Sequence, residues 1–162
     1  MTLASDLTLT TGQLRGTTSR AEDEIRAVLA EKASAIQAQD AERLVALYTP
    51  DIVVFDLAPP LLHPAAEVLD PSGKQAWFPG FEPGMGYEIS DLTVATEAGI
   101  AFCHGLVRFS ATPRGGSAEF TMWFRSTVCL RAVDGRWRIS HEHESTPFHM
   151  DGSFRAAVEL QP

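Results

Sequence analysis

Apolar residues Ile25, Val28, Leu29 and Ile36 recur at spacings of three, four and seven. That is the period of one face of an α-helix. Ser19 followed by Glu22 has the spacing of a capping box, in which each side chain satisfies a free backbone donor. The pattern therefore predicts a helix from Ser19 to about Gln39. Lys32 falls on the same apolar stripe. Two accounts fit it: the stem packs while the ammonium reaches water, or the cation points into a pocket. Asp40 reads as the cap of a short second helix with Leu44, Val45 and Leu47 inward, ended by Pro50. Ile52–Phe55 is a strand-like run. Pro59 and Pro60 cannot continue a ladder, so the chain leaves the sheet there.

Residues 61–86 hold Pro64, Pro71, Pro79 and Pro83 among glycines. Short helical turns are expected at Ala65–Leu69 and Gly73–Phe78. A long irregular segment of this kind serves as a lid or pocket wall, with Trp77 and Phe78 as anchors. From Tyr87 the period becomes two. Strands are predicted over Tyr87–Thr96, Ile100–Thr112, Ser117–Val133 and Arg136–Ser145, linked by Glu97–Gly99, Pro113–Gly116 and Asp134-Gly135. Asp-Gly between such runs is a strong hairpin signal. Helices first and an antiparallel meander after give an α+β layout, with the sheet curling over the first helix. One further helical turn is expected at Phe154–Val158.

The 162 residues are enough for one domain with a proper core. The expected division is a flexible leader at 1–18, one domain at 19–150 and a tail at 151–162. A formal net charge of −8 argues against nucleic acid and an anionic membrane surface as partners, since both need a basic face. Cys103 and Cys129 sit in apolar runs and read as buried free thiols. No apolar run approaches the ~20 residues of a membrane span, and the start lacks a secretory pattern. Cytoplasm is the expected location.

Candidate chemistry gathers on the strands. In Trp137–Ser145, alternation groups Trp137, Ile139, His141 and His143 on one face, and Arg138, Ser140, Glu142 and Glu144 on the other. Either set of titratable ends can line a cavity, and a bulge would change the answer. Phe102, His104, Leu106 and Arg108 share a face of the second strand. In the third, Trp123, Arg125, Thr127, Cys129 and Arg131 oppose the more apolar Phe120, Met122, Phe124, Val128 and Leu130. His141-x-His143 on a strand can hold a divalent metal, or form a hydrogen-bonded pair or an interface patch. No phosphate-cradling glycine loop and no nucleophile elbow is present.

Two stretches carry a resemblance. Leu47-Tyr48-Thr49-Pro50-Asp51-Ile52-Val53-Val54-Phe55-Asp56 resembles the start of the ketosteroid isomerase superfamily. Met122–Arg131, Asp134–Trp137 and His141–Phe148 resemble the C-terminal signature of a bacterial SnoaL-like branch, as do Asp56–Leu61 and Ala101–His104. The resemblance covers about residues 20–150. It implies a cystatin-like, nuclear-transport-factor-2-like cone: N-terminal helices packed in the concavity of a strongly bent, mostly antiparallel sheet. It also implies a pocket between helices and sheet, and a homodimer. Asp56 matches the isomerase's general base, which needs a partly desolvated carboxylate. Lys32 takes the place of the isomerase's Tyr, and Thr127 lies near its protonated Asp, so that oxyanion hole is absent as such.

The expected activity is cofactor-independent proton transfer next to a carbonyl: isomerisation, cyclisation or dehydration. Asp56, His104 and His141 are the candidate catalytic groups. Lys32, Trp77, Arg108, Trp123, Arg125, Glu142, His143 and Glu144 are the candidate binding groups for a small apolar or carbonyl-containing ligand. No cofactor or metal is required. The alternatives are a non-catalytic ligand-binding or dimerisation module, and a metal site at His141 and His143.

Overall fold

The computed structural model describes residues 15–116 and 118–162, with side chains from Arg20 onward. Helix α1 spans Arg15–Gln37. It already runs through Ser19, so the Ser19–Glu22 pair does not start it. Glu22 instead pairs with Arg26 one turn on. Most of the expected leader, 1–14, lies outside the described residues. Ile25, Leu29, Lys32 and Ile36 form the buried stripe.

Asp40 caps α2, Ala41–Val45, accepting from the Arg43 N–H at 3.0 Å. Strand β1 then runs Tyr48–Phe55. Pro50 lies inside β1 rather than merely ending the helix. It has no N–H for the ladder, and the β1 register shifts between Tyr48 and Val53. The chain leaves the sheet after Phe55 and builds α3 at Ala65–Val68, α4 at Pro71–Trp77 and a 3₁₀ turn at Phe78–Gly80.

Strands β2 (Gly86–Glu97), β3 (Ile100–Ala111), β4 (Phe120–Val133) and β5 (Arg136–Ser145) follow as a meander. The β4–β5 turn places Asp134 and Gly135 at φ 50° and 75°, the positive pair that a two-residue hairpin demands. The sheet order is β1-β5-β4-β3-β2. β1 pairs parallel with β5, and every other pair is antiparallel. The result is an open, mixed five-stranded sheet with helices against its inner face, the nuclear-transport-factor-2-like α+β cone. Residues 154–158 form no helix: Phe148 bridges Ala156, and the tail folds back as turns. No helix of the described residues is long and apolar enough to cross a membrane.

Alternation decides what faces inward on β3 and β4. Ala101, Cys103 and Val107 of β3 are buried, as are Phe124, Val128 and Leu130 of β4. β5 is different. Leu130 pairs with Ile139, yet Cys129 pairs with His141, so Ser140 is an extra residue in the ladder. Such a bulge shifts the side-chain phase by one. Ile139 and Glu142 are therefore both buried, although simple alternation sets them on opposite faces.

Candidate active site

Between α1, the 56–81 segment and the inner sheet face lies a cavity of about 530 Å³. This is the size of pocket that holds a small organic molecule. Its walls are aromatic, with Trp77, Phe78, Phe81, Phe109, Phe120 and Phe124 among them. Trp77 packs edge-on to Phe81, with centroids 5.0 Å apart, and stacks on Phe109 at 6.2 Å.

The floor is charged. Lys32 projects from the middle of α1 and is 3% exposed. Its stem packs in the buried stripe and its Nζ ends at the cavity floor. It stands 2.7 Å from Glu142 Oε1 and 3.5 Å from Glu144 Oε1. The contact to Glu142 is an ion pair without hydrogen-bonding geometry. Tyr48 of β1 donates its hydroxyl to Glu142 Oε2 at 3.2 Å. Tyr87 of β2 donates to Glu144 Oε1 at 3.3 Å, and the Lys32 ammonium lies 5.4 Å from the Tyr87 ring centroid. The β5 bulge is what turns both carboxyls inward.

Two carboxyls share one ammonium, and this sets the proton balance. Burial alone would lower the Lys32 pKa; Glu142, then Tyr87 and Glu144, outweigh it and hold the amine charged. Burial pushes Glu144 up to about 7, with Glu142 adding and Lys32 opposing. Burial also raises Tyr48 and Tyr87, so both phenols keep their protons as donors. Glu144 is thus a carboxyl that gives or takes a proton near neutral pH, the requirement for general acid–base work.

The mouth carries Asp56, His63, Glu67, Asp70 and Lys74. Asp56 is exposed and accepts from the Leu57 N–H at 2.6 Å. His63 binds Glu67 at 2.7 Å, which raises its pKa. Lys74 is half-buried and donates to the Val68 carbonyl at 3.3 Å.

Of the residues singled out in the sequence, Lys32, Asp56, Trp77, Glu142 and Glu144 line this cavity. His104, Arg108, Trp123, Arg125, His141 and His143 do not. They lie on the outer sheet face, because Val107, Phe124 and Ile139 occupy the inner one. His104 pairs across to Thr127, and Thr127 to His143. Arg108 meets Glu88 at 3.3 Å. His141 Nδ1 lies 2.9 Å from the Val53 carbonyl, and Phe55 packs edge-on against both His141 and His143. His143 also lines a second, open recess of about 470 Å³ beyond the Asp56–Leu61 loop. Among the described residues no group of three metal-type ligands assembles, so His141 and His143 have no third ligand there.

Tyr48, Tyr87, Lys74 and His63 were not singled out by their sequence setting. A tyrosine in an apolar strand reads as core. The signal for Tyr87 is its place in alternation with Ile89.

The sequence pattern of the SnoaL-like domain matches residues 25–149, a span that contains the whole buried cluster. The chain belongs to the SnoaL-like domain family. No curated protein matches it. This SnoaL-like domain is similar to a nuclear-transport-factor-2-like protein of unknown function from Pseudomonas putida KT2440. The two share 28% identity over 89% of this chain and 98% of the other, with a TM-score of 0.76. It shares its fold with a candidate scytalone dehydratase from Novosphingobium aromaticivorans (16% identity, 86% and 93% coverage, TM-score 0.73). It also shares it with a ketosteroid isomerase-like protein from Erwinia carotovora atroseptica (22% identity, 76% and 93% coverage, TM-score 0.62).

Proposed function

We propose that the protein binds a small, largely apolar carbonyl compound in the aromatic cavity and moves a proton beside its carbonyl. No organic cofactor enters this scheme. The observation that carries the reading is Glu144: an inward carboxyl at the cavity floor, 3.5 Å from the Lys32 ammonium and 3.3 Å from the Tyr87 hydroxyl. In its ionised form Glu144 takes the α-proton. The negative charge that develops on the carbonyl oxygen is stabilised by the fixed Lys32 ammonium, which needs no reorganisation at that moment. Glu142 and Tyr48 hold Lys32 in place. The aromatic walls exclude water and orient the ligand. The names borne by the dehydratase and isomerase-like fold neighbours accord with proton transfer of this kind.

The test is hydrogen exchange. Aryl ketones incubated with the protein in D₂O are followed by NMR. Loss of α-hydrogen signal with wild type, and its absence with Glu144→Gln, supports the reading. Equal exchange with both proteins rejects it.

The outer sheet face favours a second reading, a self-association module. Phe102, Cys129, His141 and Val53 are cross-strand neighbours in one row, and Phe55 follows in the next. Phe102 is 52% exposed, and Val53 and Phe55 are each 38% exposed. A row of exposed apolar side chains on a sheet face marks an interaction surface, and the proposed occupant is a second copy of the chain. Sedimentation of wild type as a dimer and of Phe102→Asp as a monomer supports it. A monomeric wild type rejects it.

A further inference from the structure

The chain has two lysines against eleven arginines, and both lysines, Lys32 and Lys74, line the same cavity. Arginine cannot shed its proton in a protein, whereas a buried lysine can. Cavity cations of a deprotonatable type, set against arginines elsewhere, point to amine chemistry. The two lysines are held differently. Lys32 is locked as a cation between Glu142 and Glu144, so its lone pair is unavailable. Lys74 sits on α4 at the mouth and donates to a neutral carbonyl, Val68 O. Among the described residues no carboxylate oxygen stands within 4.0 Å of its Nζ.

We propose that Lys74 is a nucleophilic amine that forms a Schiff base with the carbonyl ligand of this cavity. The inference rests on the carbonyl reading above. Burial lowers the Lys74 pKa, and the Lys32 charge acts in the same direction, against Glu142, Asp56 and Glu67. Desolvation beside a second cation is how an enzyme lysine gains a free lone pair at neutral pH. The Nζ lone pair attacks the carbonyl carbon, and the π pair moves to oxygen. One amine proton passes to that oxygen, giving a carbinolamine. The hydroxyl then leaves as water after taking a second proton from a carboxylic acid of the cavity wall. A protonated imine remains. Its α-proton passes to the carboxylate, and the C–H electron pair forms an enamine. Reprotonation and addition of one water return the carbonyl compound and the free amine. No net oxidation or reduction occurs.

The experiment traps the imine. The full chain is incubated with naphthaldehyde and sodium cyanoborohydride at neutral pH, and the adduct is located by mass spectrometry. One adduct at Lys74 is expected, formed severalfold faster than at Lys74 of the same chain unfolded in urea. Lys74→Arg, checked for a wild-type circular dichroism spectrum, is expected to lose it. Labelling confined to Lys32 or the chain's α-amine, or no faster at Lys74 than in urea, overturns the proposal. Ketone α-hydrogen exchange is measured on the same samples. Exchange retained in full by Lys74→Arg overturns the Schiff base and leaves proton transfer by Glu144 standing. Fast trapping at Lys74 in a wild-type protein that exchanges nothing supports the amine and removes only the proton-transfer reading.

Discussion

Lys32 Nζ lies 2.7 Å from Glu142 Oε1, and the two side chains are 4% and 6% exposed. Removing one member of a buried ion pair leaves the other uncompensated, at about 3–5 kcal/mol. Lys32→Met is therefore expected to lower stability by about that amount in urea unfolding. Lys32→Met with Glu142→Leu is expected to recover a large part of the loss. A single variant as stable as wild type contradicts the buried pair.

Glu144 gives a pH dependence of defined sign. Its pKa is raised from 4.5 to about 7 by burial, so the folded protein binds its proton more tightly than the unfolded chain. The protonated carboxyl favours the fold below pH 4.5, and that contribution is lost as pH rises through about 7. The loss is about 3 kcal/mol. Urea midpoints of Glu144→Gln are expected to vary less between pH 5 and 8 than those of wild type.

Trp77 lines the cavity, whereas Trp123 is on the outer face and Trp137 does not line it. A naphthyl ketone entering the cavity is expected to quench tryptophan fluorescence in wild type. Trp77→Phe is expected to abolish most of that change while binding, read by calorimetry, persists. Unaltered quenching in Trp77→Phe places the ligand elsewhere.

Gly105 of β3 faces the irregular stretch of β2. A Cβ added there would stand 2.8 Å from the Ser90 carbonyl oxygen, a backbone atom that cannot swing away. Gly105→Ala is expected to cost about 1–3 kcal/mol of stability by thermal or urea unfolding.

Much of the architecture was legible in the chain. Asp134-Gly135 fixed a hairpin because only such residues take positive φ at both central positions at little cost. Alternation on β4 separated the apolar inner set of Phe120, Met122, Phe124, Val128 and Leu130 from Arg125. The site was less legible, and β5 explains why. The extra residue at Ser140 puts Ile139 and Glu142 on one side, and nothing in His141-Glu142-His143-Glu144 announces a bulge. Polarity then drew His104, Arg108, Arg125 and the histidines toward the cavity. In the structure the outer face takes them, and a helix supplies the floor's cation. Lys32 was visible on its stripe, but its partner lies 110 positions away in sequence. Pairings at such separation are set by the sheet, not by local pattern. Tyr48 and Tyr87 look like core residues until their hydroxyls find those carboxyls.

The proposed chemistry depends on a Glu144 proton that exchanges near neutral pH inside the cavity. Carbon-13 NMR of the Glu144 carboxyl, assigned by its disappearance in Glu144→Gln and titrated in the full chain, tests it directly. A midpoint at about 7 is expected, and it falls when Glu142 is replaced by Gln, because Glu142 is one of the groups raising it. A midpoint at the ordinary glutamate value of 4.5, unmoved by Glu142→Gln, contradicts it.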